Sequence, residues 1–178
     1  MMLFRSENKF ENFLGILLVV IGVLMRLLPH PMNFTPVTAI ALFAGVVLTP
    51  GIALFLPLII MITTDLILGP HSLYPLTWGC FFLISLLGVW LRSDIKTSRI
   101  FFGTLAGSVL FYIVTNLGVF LFDNMYEKSW QGLIQCYVMA LPFFRNTLLG
   151  DLFFAGLFFG IFAAVKNYSK QTASQKAV

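Results

Sequence analysis

Apolar runs dominate the chain, separated by short stretches in which polar residues, glycine or proline gather. A helix rises 1.5 Å per residue and the hydrocarbon layer is about 30 Å thick, so a membrane span needs about 20 mostly apolar residues. Six such runs occur, at about 12–29, 36–49, 51–69, 73–91, 100–122 and 142–165, and each predicts a transmembrane helix. The second run is short and lies between Pro36 and Pro50, and Thr49-Pro50-Gly51 reads as a tight turn. The stretch 123–141 mixes charge, aromatic and apolar residues and predicts an extracytoplasmic interfacial segment rather than a span. The expected fold is therefore an all-α integral membrane protein, one domain over residues 1–178 with six transmembrane helices.

Composition strengthens this picture. Hydrophobic residues make up 59% of the 178 residues and charged residues 10%, against about 45–50% and 25% in soluble domains. The start has a charged head followed by an apolar stretch, as a signal peptide does. Arg26, Leu27, Leu28, Pro29 and His30 follow in place of a small-residue cleavage site, so a retained first helix is expected. The formal net charge of +4 is distributed as topology demands, not as a nucleic-acid surface. With the N-terminus inside, the cytoplasmic segments hold Arg5, Lys9, Arg92, Lys96, Arg99, Lys166, Lys170 and Lys176, and the outer loops only Lys128. Both termini are thereby expected in the cytoplasm.

Small residues recur at four-residue spacing, Gly103 and Gly107 in the fifth run and Gly156, Gly160 and Ala164 in the sixth. Such rows let helices approach closely, and internal bundle packing is their expected use ahead of a partner surface. The two cysteines, Cys80 and Cys136, give no disulfide framework and no zinc spacing. No GxxxxGK[ST], GxSxG or HExxH occurs, so this chain carries no motif for ATP hydrolysis or hydrolase chemistry. If the chain moves a solute against a gradient, the energy is expected from a separate subunit or from an ion gradient.

Ionisable groups within a span cost about 2.5–3.5 kcal/mol each on insertion scales, which makes each a functional candidate. Here they are Arg26, Asp65, Arg145 and Asp151, with His30 and His71 at the boundary. All fall in the expected outer half, so a cup open outward with an apolar floor is expected. Asp65 and Arg145 either pair to stitch helices or line that cup. Asn33, Asn146, Tyr74, Trp78, Tyr137 and Trp130 are candidates for its rim. Tyr74, Thr77 and Cys80 share a face of the fourth helix. Cys80 is either a small apolar filler or a thiolate for a soft metal within a ligand.

The segments "RLLPHPMNFTPVTAIALFAG" (26–45), "TTDLILGPH" (63–71), "SLYPLTWGCFFLISLLGVWL" (72–91) and "CYVMALPFFRNTLLGDLFF" (136–154) resemble small six-helix membrane proteins akin to the S components of energy-coupling factor (ECF) transporters. The resemblance implies an S-component-like bundle, an outward-facing pocket and a vitamin-type ligand. It also allows energising ECF subunits as partners beside the lipid bilayer. Within that group, solitary cobalamin carriers hold the cobalt of vitamin B12 on a cysteine, and Cys80 resembles that residue. By the same resemblance Cys80, His30, Asp65, Arg145, Arg26, Tyr74, Thr77, Trp78, Asn146 and Tyr137 form the expected substrate site. Cobalamin would be the transported ligand, with no intrinsic cofactor. Sulfur ligation needs the thiolate, whose usual pKa is about 8.5, and metal bonding lowers it; thiolate attack on cobalt would also expel an upper ligand. Two further readings stay open: a carrier of another vitamin or precursor with Cys80 structural, and an intramembrane enzyme using Cys80. S components that dock on a shared energising module often carry Ala-x-x-x-Ala in their first helix. This chain has Gly15 and Gly22 instead, which fits a solitary carrier better.

Overall fold

A computed structural model describes residues 2–69 and 72–176; His71, one of the boundary histidines, lies outside the described residues. The chain folds into six helices: α1 (Met2–Leu27), α2 (Val37–Val47), α3 (Pro50–Leu68), α4 (Tyr74–Leu91), α5 (Thr97–Phe122) and α6 (Trp130–Lys176). No strand occurs among the described residues. Five of the helices are long and apolar enough to cross a membrane, and leucine, isoleucine and phenylalanine side chains stand exposed along them, Leu66 at 81% and Phe13 at 66% among them. Such a surface suits lipid, not water.

Two expectations are corrected. The second run forms a helix of only 11 residues, about 16 Å long, which does not cross a bilayer by itself. Pro36 has no N–H to extend the helix upstream, and the turn into Pro50 ends it downstream. The second correction concerns 123–141. From Trp130 onward this stretch is the start of α6, which continues through Pro142 without a break. Hydrogen bonds fix this portion along α5: the Tyr112 hydroxyl donates to Tyr137 O at 2.6 Å and the Tyr137 hydroxyl to Ile113 O at 2.8 Å. Those bonds and the tilted stack of Tyr112 on Phe144, 4.5 Å between centroids, make it part of the bundle.

The short helix is the centre of the molecule. Every residue of α2 from Val37 to Val46 is buried, as expected of a helix that is apolar on all sides. Its closest neighbour is α4. A Cβ on Gly88 would lie 2.4 Å from Leu42 O, and one on Gly45 would lie 2.5 Å from Ser85 O. Only glycine at both positions lets these backbones meet. Gly103 and Gly107 of α5 likewise seat Leu91, Thr38 and Ile84, while Gly15 and Gly22 of α1 seat Ile52 and Ile60 of α3. Gly156 and Gly160 are different. Nothing lies within 4 Å of a Cβ at either, so the expected internal packing role does not hold for the row on α6.

Both ends of α2 meet charge of the sign its dipole favours. Arg92, expected only as a topology marker, reaches back to the C-terminal carbonyls of α2, donating to Gly45 O at 2.7 Å and to Leu48 O. At the other end, Thr38 in the first turn faces the carboxylate of Asp151 from α6.

Candidate functional site

Because α2 begins halfway down the bundle, the space above its first turn is not filled by helix. The connection from Leu28 to Pro36 crosses above it as irregular backbone, turned by Asn33 at φ 63°, a left-handed conformation that asparagine tolerates. Below lies a cavity of about 380 Å³ to which all six helices or their connections contribute. Its walls hold Arg26, His30, Asn33, Thr35, Thr38, Thr77, Thr147 and Asp151 on the polar side, and Met61, Leu68, Phe81 and Phe111 on the apolar side. A smaller hollow of about 120 Å³ adjoins it, sharing Asn33 and Thr147.

Asp151 is the most enclosed ionisable group of this site, 1% exposed. Ser108 Oγ donates to its Oδ2 at 2.7 Å, and Thr38 meets the same carboxylate. Thr147 lies one helical turn above Asp151 on the same face of α6. Opposite them, Phe81 and Phe111 stack at 5.2 Å in a tilted pair. The cavity therefore presents a carboxylate, several hydroxyls and an aromatic wall to one enclosed volume.

Beside the cavity sits a second polar cluster. Arg26 Nη2 pairs with Asp65 Oδ1 at 2.7 Å, and Trp78 Nε1 donates to Asp65 Oδ2 at 2.9 Å. Arg26 also contacts the Met61 sulfur. Trp78 in turn stacks on Tyr74, whose hydroxyl donates to Gly69 O at 2.9 Å. This cluster ties α1, α3 and α4 together while leaving Arg26 as part of the cavity wall.

The model of a family of unknown function, DUF6580, matches residues 6–174. The chain belongs to that family. No curated protein and no solved structure matches it. For this DUF6580 member the chemistry must accordingly be read from the site itself.

Of the residues expected at the site or its rim, Arg26, His30, Asn33, Thr77 and Asp151 line the cavity. His30 is held by its own loop, its Nδ1 lying 2.6 Å from Leu28 O. Asp65, Tyr74 and Trp78 stand behind the wall as the cluster just described. Asp65 pairs with Arg26, not with Arg145, which is exposed and makes no ion pair among the described residues. Asn146 anchors the loop, its Nδ2 donating to Met32 O at 3.1 Å. Tyr137 is bound to α5, and Trp130 is 77% exposed at the start of α6. Neither lines the cavity.

Cys80 is buried at 1% exposure and is also absent from the cavity wall. Leu76 packs on Gly118 of α5 and Ile84 on Gly107. Cys80 lies one helical turn from each of them on the same face of α4. Cys80 and Cys136 are both free thiols. The residues that sequence reading left out of the site are Thr35, Thr38, Ser108 and Thr147. Asp151, singled out as an acid inside an apolar run, does line the cavity; the hydroxyls carried no signal, because threonine and serine are common in membrane helices.

Proposed function

We propose that this protein takes up a small polar solute from the outer side of the membrane, binding it in the cavity above α2. The observation that carries this reading is Asp151, a carboxylate 1% exposed on the wall of a cavity within an apolar bundle. An acid at such a place is costly unless it has a use. The solute that suits this wall carries an N–H or cationic donor for Asp151, groups for the threonine hydroxyls, and a flat apolar part for Phe81 and Phe111. The volume of about 380 Å³ lies toward the small end of ligand sites, which span about 300–1,000 Å³. Vitamins and their precursors of modest size fit that description, as the S-component resemblance implies. In this reading both termini lie in the cytoplasm and the cavity opens outward, which the excess of lysine and arginine at the α5-start and α6-end side supports. The role is carriage rather than catalysis.

A corrinoid is larger than this cavity, and Cys80 is not among the residues that line it. The geometry thus favours the smaller cargo, with Cys80 as a packing residue. Uptake separates the two. Cells expressing the wild type, Asp151→Asn or Cys80→Ala are given a defined mixture of water-soluble vitamins, cyanocobalamin included, and their contents are measured by mass spectrometry. A small vitamin accumulating with the wild type and Cys80→Ala, and not with Asp151→Asn, is the expected result. Accumulation of cobalamin that depends on Cys80 would restore the corrinoid reading. No accumulation above vector for any compound would overturn carriage of this class.

A further inference from the structure

At the opposite end of the bundle a groove of about 540 Å³ opens between α5 and α6. It runs on α6 from Leu152 to Asn167, a rise of about 22 Å. That matches one leaflet with its headgroup layer, half of a total thickness of about 40–45 Å. Its deep part is apolar, with Ile100, Phe101, Phe159 and Phe162 as walls. Its floor is open where Gly156 and Gly160 stand, since nothing lies within 4 Å of a Cβ at either. The small residues of α6 thus leave a furrow that no described residue fills.

The mouth of the groove has a different chemistry. Thr97, Lys166 and Asn167 gather there, and no acidic residue lines any part of it. Lys166 makes no ion pair among the described residues. Nearby, Lys96 and Arg99 share the single carboxylate of Asp94, at 2.9 Å and 3.5 Å, so this rim keeps a net positive charge. A long apolar slot ending in a cation, an amide and a hydroxyl at headgroup depth is complementary to one kind of membrane component.

We propose that the α5–α6 groove binds an anionic phospholipid, its acyl chain over Gly156 and Gly160 and its phosphate at Lys166, Asn167 and Thr97. The lipid completes the wall between the two helices where side chains are missing. A lysine near a charged membrane surface contributes enough attraction to change occupancy about fivefold, and Lys166 is the residue placed to do so. A second polypeptide helix is the competing occupant; the basic, acid-free mouth favours the lipid. This inference stands apart from the cavity above α2 and survives if that cavity proves to bind nothing.

The test uses the full-length protein in detergent, with native mass spectrometry after addition of phosphatidylglycerol or phosphatidylcholine of identical acyl chains. Retention of phosphatidylglycerol about fivefold above phosphatidylcholine is expected for the wild type. Lys166→Gln should erase that preference while leaving phosphatidylcholine retention unchanged. Gly156→Leu, where the structure has room for a side chain, should fill the slot and lower retention of both lipids without shifting the unfolding midpoint. Equal retention of the two lipids by the wild type, or an unchanged preference in Lys166→Gln, would overturn the proposal. So would a dimer that forms in place of the lipid adduct and is broken by Gly156→Leu. Inorganic phosphate at equal concentration should not displace the lipid; displacement would show that the groove contributes nothing.

Discussion

Replacing Asp65 by leucine removes the counter-ion of Arg26 and the acceptor of Trp78 in one step. Asp65 is 3% exposed and Arg26 17%, so the arginine left behind has little water to turn to. Breaking a buried pair this way costs about 3–5 kcal/mol, which is about two to three and a half powers of ten in the folding equilibrium. Replacing both partners, Arg26→Leu with Asp65→Leu, removes the stranded charge and should recover most of that loss. It leaves the indole N–H of Trp78 orphaned, at about 1–3 kcal/mol. Asp65→Asn keeps an oxygen for Trp78 and should fall between the wild type and Asp65→Leu. The assay is SDS titration of the detergent-solubilised protein, followed by reaction of the two cysteines with a thiol dye. Cys80 and Cys136 are each 1% exposed and react only when the bundle opens. The reasoning is refuted if Asp65→Leu costs less than about 1 kcal/mol, the size of a surface pair, or if the double variant is no more stable than Asp65→Leu.

Other consequences follow from the same contacts. Gly88→Ala places a methyl group 2.4 Å from Leu42 O and should destabilise by about 1–3 kcal/mol or more, seen in the same titration, while Gly79→Ala, with open space around it, should be neutral. Ser85 Oγ is buried with no hydrogen-bond partner among the described residues, so Ser85→Ala should leave the midpoint unchanged or raise it; clear destabilisation would show that the hydroxyl has a partner. Lys96 and Arg99 hold the Asp94 carboxyl below its ordinary range. A depressed carboxylate stabilises the fold above its unfolded-state value, and that contribution is lost as pH falls through the folded-state value. Protease cleavage of the 92–96 loop should therefore rise on acidification in the wild type and be high and less pH-dependent in Asp94→Asn.

Much of the helical frame can be read from hydropathy alone, since length and apolar character are local properties. The errors came where neighbours decide. An apolar run bounded by Pro36 and Pro50 looks like a short span, yet it is a half-length helix, buried on every side because five other helices surround it. The 123–141 stretch looks amphipathic and superficial in sequence, but Tyr112, Asn116 and Ile113 of α5 supply the bonds that hold it in α6. Arg92 carries a charge that hydropathy assigns to topology; only the fold shows it donating to the end of α2. At the site, the ionisable residues drew attention by type, and Arg26 and His30 do reach the cavity. Arg145 does not, because the face of a long helix that it occupies depends on how α6 lies against α5. Cys80 shares a helical face with Thr77, but its neighbours Leu76 and Ile84 turn that side toward α5, a fact of packing that no spacing records.

The most direct test of the central reading is where the cavity opens. In a background with Cys80→Ala and Cys136→Ala, single cysteines are placed at Asn33 and Thr147, which line the cavity, and at Asn167, at the far groove mouth. Intact cells are then exposed to a membrane-impermeant maleimide. Labelling of Asn33→Cys and Thr147→Cys without permeabilisation, with Asn167→Cys labelled only after it, is the predicted result. The reverse pattern would contradict uptake from the outer face.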